Sequence, residues 1–99
     1  MTNPQLKYTD GGRSGTMHYS SDESSFDMWY ELAAGSAVAF IKIPSINFWE
    51  AQTKIPVDQR QAVIGFIGNE VVKSKLNNDG YFLLDDNFIM LYSGKNPDS

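Results

Sequence analysis

The chain has 99 residues, 41% hydrophobic and 20% charged, with eight basic against twelve acidic side chains and a net charge of −4. This length and apolar content suit a single domain covering 1–99 with frayed ends at 1–5 and 93–99, and they exclude a disordered chain. The lack of cysteine rules out disulfides, thiolate metal centres and a cysteine nucleophile, and the acidic balance opposes binding to a phosphate backbone, where Lys and Arg supply the affinity.

No apolar run is long enough to span a bilayer, so no membrane partner is expected. The opening Met-Thr-Asn-Pro-Gln-Leu-Lys lacks the apolar core of a secretory signal, so a cytoplasmic location is expected.

Leu6 to Thr9 and Thr16 to Ser20 read as two short strands, with Asp10-Gly11-Gly12-Arg13-Ser14-Gly15 supplying the reversal between them. A phosphate-cradling loop would lead from a strand into a helix. The strand pattern Thr-Met-His-Tyr-Ser follows instead.

Phe26 to Leu32 alternates cleanly, setting Phe26, Met28, Tyr30 and Leu32 on one face and Asp27, Trp29 and Glu31 on the other. Gly35-Ser36 is a two-residue turn into Ala37 to Pro44, whose Ala39, Ile41 and Ile43 point inward while Val38, Phe40 and Lys42 share the Trp29 face. Ser45 to Lys54, carrying Phe48 and Trp49, either covers that face as a lid or leaves an aromatic patch open. Asn47 and Glu50 have the spacing of a capping box for a short helix in this segment.

Ile55 to Leu76 is the one long stretch with helical apolar period, and the rest of the chain is organised around it. Asp58 is a good N-cap, with Gln61 three residues on and Val57 placed to staple against Ala62. Arg60, Ile64, Ile67 and Val71 fall in steps of four, three and four, so the guanidinium belongs to the apolar face and needs a carboxylate. Glu31 and Glu50 are the expected partners in a structural ion pair; anion binding is the other role open to Arg60. Gly65 and Gly68, away from this face, make a smooth flank with Gln61 and Val72 where another chain's backbone could approach.

Asn77-Asn78-Asp79-Gly80 stops the helix. Tyr81 to Leu84 and Phe88 to Tyr92 are strands about an Asp85-Asp86-Asn87 turn, apolar on both faces as central or covered strands are.

The expected fold is α+β: an antiparallel sheet of five to six strands in the order β-β-β-β-α-β-β, one long helix on one face and a short helical lid. No motif carries recognisable chemistry. His18 is the only histidine, so a metal would have only scattered carboxylates, and neither a metal site nor a cofactor is expected. The leading function is a non-catalytic protein-interaction or self-associating domain, with a homodimer the natural form and Trp29, Phe40, Trp49 and Arg60 as its interaction residues. The alternative is single-stranded nucleic-acid binding on the aromatic sheet face, which the charge disfavours. A third is a small hydrolase using Glu31, Glu50 or His18.

Overall fold

The alternating segment around Trp29 becomes strand β3 (Ser25–Leu32), with β2 (Ser14–Ser20) on one side and β4 (Ala37–Lys42) on the other. The computed structural model describes residues 3–11, 14–22, 24–32 and 37–95. The expected turns at Gly12-Arg13 and Gly35-Ser36 lie outside the described residues. With β1 (Gln5–Gly11), β5 (Gly80–Leu84) and β6 (Phe88–Ser93), the strands form one sheet in the order β1-β2-β3-β4-β6-β5. Every neighbouring pair is antiparallel.

Register decides which side chains share a face. Tyr8 pairs with Met17 and Met17 with Met28, while Tyr30 pairs with Ile41 and Ile41 with Ile89, so two rows of side chains, offset by two residues on β3, together span five strands on the inner face. Helix α2 (Arg60–Lys75) covers that face with Val63, Ile64, Ile67 and Val71, all buried. These positions recur at helical spacing, and their burial joins them to the core residues of the sheet.

The helix begins later than Asp58. A 3-10 turn at Val57–Gln59 precedes it, Gln59 occupies the N-cap position, and its side chain makes no capping bond. Val57 is exposed and so makes no staple. Its N–H donates instead to Glu50 Oε2 at 2.9 Å, which takes Glu50 away from the expected capping box. At the other end Asn77 and Asn78 adopt positive φ, and the Leu76 and Asn78 N–H groups both reach back to the Val72 carbonyl, closing the helix.

The short helix α1 (Trp49–Thr53) does form, but on the inner side. Trp49 is fully buried and meets Phe26 edge to face at 5.6 Å between ring centres. The Ser45 to Lys54 segment therefore contributes Trp49 to the core, while Ser45, Phe48 and Gln52 border a cleft with Trp29 and Lys42 at one end of the outer face, where Trp29 and Phe48 stay exposed.

Three further expectations are corrected. Val38 packs against the core rather than beside Trp29, because the register shifts between Ala37 and Ala39 and a bulge offsets the alternation by one. Gly68 belongs to the chain's own packing: a Cβ there would lie 2.6 Å from the Phe82 ring, so the smooth flank expected to admit another chain admits β5 instead. Gly65 on the same flank faces open space. Finally, β6 is interior to the sheet as its apolar faces suggested, but β5 is an edge.

Candidate functional site

The outer face of the sheet divides into two halves. On β1 to β3 it is polar: Lys7 pairs with His18 and His18 with Asp27, Thr9 with Thr16 and Thr16 with Trp29. On β4, β6 and β5 it is apolar. Phe40 lies opposite Glu31 on one side and Met90 on the other, and Met90 lies opposite Leu83. Phe40 meets Phe88 edge to face at 6.3 Å, and Tyr81 stacks on Tyr92 at 5.2 Å with planes 14° apart. Trp29, 45% exposed, stands at the seam between the halves. Lys42 sets its ammonium 5.9 Å from the Phe88 ring centre, in the range of a cation–π contact.

Of the four expected interaction residues, then, Trp29 and Phe40 share the outer face. Trp49 is core. Arg60 is structural in its contacts: Nη2 donates to the Pro44 carbonyl at 3.1 Å and to Asp86, and the guanidinium lies 5.7 Å from the Trp49 ring centre. Its carboxylate partner is Asp86, at 3.2 Å, and neither Glu31 nor Glu50. Glu31 projects from the exposed outer face across the sheet from α2, and Glu50 is engaged with Val57.

The outer edge of this apolar half is β5, Gly-Tyr-Phe-Leu-Leu, with no charged residue and no proline. Leu83 and Leu84 are exposed at 41% and 46%. The opposite edge, β1, carries the exposed Lys7, a charge of the kind that usually guards an edge. The turn joining β5 to β6 is built by Asp85, whose Oδ1 accepts from the N–H groups of Asn87 and Phe88 at 2.8 Å each. Asp86 turns the other way, accepting from the Ile46 N–H as well as Arg60, so the two acids do not converge.

The polar half holds a hydroxyl–imidazole–carboxylate line that the sequence did not reveal, since its three members come from three strands. Thr9 Oγ1 is 2.9 Å from His18 Nε2, and His18 Nδ1 is 2.5 Å from Asp27 Oδ1. With the carboxylate accepting, Nδ1 carries a proton and Nε2 of a neutral ring accepts from the Thr9 hydroxyl. The order is that of a nucleophile, base and orienter. A strand interior, however, turns its N–H groups into the sheet plane, where they cannot gather above the face around a developing oxyanion. The line works as a cross-strand polar ladder. Among the described residues no group of three or more metal-ligating side chains is placed to hold an ion.

On the inner side a cleft of about 370 Å³ opens between the C-terminal half of α2 and the sheet. Its walls include Met17, Val38, Leu76 and Leu91, and its polar groups are Tyr8, Tyr30 and Lys75. Tyr8 is half-buried there, and burial raises its phenol above the ordinary value of 10.0, with the Ser74 hydrogen bond opposing and Glu70 and Tyr30 adding to the rise.

Among the described residues no helix is long and apolar enough to cross a membrane. Compared with models of protein families, with curated proteins and with solved structures, the chain matches none.

Proposed function

We propose that the protein is a non-catalytic self-associating domain, a two-fold dimer joined through strand β5. The observation that carries this reading is the unguarded edge: five residues without charge or proline, two exposed leucines, and an outer side that no strand pairs among the described residues. Antiparallel pairing of β5 with its copy is the arrangement that a two-fold axis generates, because each strand then meets itself reversed. It would continue the sheet from six strands to twelve and bring the two apolar half-faces side by side. With the axis at Phe82, Tyr81 of each copy would lie opposite Leu83 of the other, joining the Tyr92 row of one copy to the Met90 row of the other across the junction.

Sedimentation tests the reading. The wild type is expected to show a dimer that dissociates on dilution. Leu83→Lys, which places a charge on the edge, should give a folded monomer. Trp29→Ala, three strands away, should leave the dimer unchanged. A wild type that stays monomeric, or a dimer lost with Trp29→Ala and kept with Leu83→Lys, would reject β5 as the interface.

A further inference from the structure

We infer that the inner cleft beside the C-terminal half of α2 binds a small amphiphile, an apolar chain ending in one carboxylate, with Lys75 receiving the acid group. The volume of about 370 Å³ falls in the range of small-molecule pockets, roughly 300–1,000 Å³, and its walls are mostly aliphatic, as such pockets are. An apolar body is therefore favoured inside.

The polar groups at the cleft then decide what the ligand's other end must be. Ser74 Oγ donates to the Glu70 carbonyl at 2.8 Å, so its one proton is committed. The Tyr8 hydroxyl lies 3.1 Å from Ser74 Oγ and is engaged in that pair whichever oxygen donates, and neither group is a cation. The Tyr30 hydroxyl faces the Thr9 carbonyl at 3.5 Å, the limit of a hydrogen bond. Lys75 remains. Its ammonium sits 4.4 Å from the centre of the Tyr8 ring, held by the ring's negative face and paired with no carboxylate among the described residues. It is the one cation lining the cleft, and its donors are not consumed by the ring contact. An acid group on the ligand supplies the missing counter-charge, and its chain has the space between Val38, Leu76 and Leu91 to enter.

The cleft lies on the face of the sheet opposite the aromatic half-face, so this inference does not depend on dimer formation through β5.

Decanoate, kept below its micelle-forming concentration, is the probe, and the methyl resonances of Met17, Val38, Leu76 and Leu91 are the readout. Saturable shifts confined to those methyls are expected. Lys75→Gln should weaken decanoate about tenfold, the scale of one charge-assisted hydrogen bond. Decanol, with the same chain and no charge, should bind weakly to both proteins and equally. Val38→Phe, which fills the cleft, should weaken both ligands. No saturable shift, shifts at Phe40 and Met90 on the outer face instead, or decanoate affinity indifferent to Lys75→Gln would each overturn the inference.

Discussion

Arg60, in the first turn of α2, holds Asp86 in the β5–β6 turn by two bonds from one nitrogen, 3.1 Å to the backbone carbonyl and 3.2 Å to Oδ1. The same nitrogen reaches the Pro44 carbonyl, so three segments distant in sequence meet at one guanidinium. Arg60 is largely buried and Asp86 is half-exposed, with side-chain exposures of 15% and 49%.

That asymmetry sets the first prediction. Arg60→Ala leaves two carbonyls and a carboxylate unserved and should cost about 2 kcal/mol, whereas Asp86→Ala removes a half-exposed acceptor shared by Arg60 and the Ile46 N–H but leaves the guanidinium its two carbonyls, and should cost about 1 kcal/mol. Urea denaturation of the two variants measures both. Equal losses would mean that the ion pair, and not the carbonyl bonds, dominates.

The two helix glycines should respond to alanine in opposite directions. Gly65→Ala points a methyl into open space and should stabilise by roughly 0.5–1 kcal/mol through helix propensity. Gly68→Ala drives the same methyl into the Phe82 ring and should destabilise by about 1–3 kcal/mol despite that propensity gain. Thermal melts of the pair decide the matter, and a stabilised Gly68→Ala would contradict the close packing of α2 on β5.

Trp49 should behave as core. Its truncation to alanine is expected to cost about 3–5 kcal/mol, typical of a buried aromatic, since its ring is fully enclosed against Phe26. A near-neutral Trp49→Ala in a denaturant titration would contradict this placement.

Tyr8 links stability to alkaline pH. Burial, reinforced by Glu70 and Tyr30 and opposed by Ser74, raises its phenol, so the folded state holds this proton more tightly than the unfolded chain does. The stabilisation is complete below the ordinary phenol value of 10.0 and is lost as pH rises through the higher folded value. Tyr8→Phe should flatten that alkaline decline, which denaturant midpoints measured on both sides of the ordinary phenol value would reveal.

Much of the fold was legible because periodicity is a local property. The steps Arg60, Ile64, Ile67 and Val71 placed α2 and put the guanidinium on its apolar side, where it lies. The alternation around Trp29 gave β3 and set that tryptophan on the outer face, while leaving open whether a lid covers it. What stayed hidden depends on relations between distant segments. Asp86 meets Arg60 only because β6 inserts between β4 and β5, an order that no local pattern encodes. Trp49 reads equally as lid or core until the side on which α1 lies is known. Val38 was misplaced by a one-residue bulge, which reverses alternation without leaving a mark in composition. The candidate sites share this limit: the edge position of β5, the Thr9–His18–Asp27 ladder and the meeting of Tyr8 with Lys75 all join residues from separate elements.

Hydrogen exchange of the β5 backbone tests the dimer account most directly. An edge strand pairs half its amide groups with β6 and leaves the other half to solvent or to a partner. The account predicts that the outward amides of Tyr81 to Leu84 are protected at high protein concentration and lose that protection on dilution and in Leu83→Lys, while amides between β4 and β6 stay protected throughout. Outward β5 amides that exchange at the same rapid rate at every concentration, with the inner strands still protected, would contradict it.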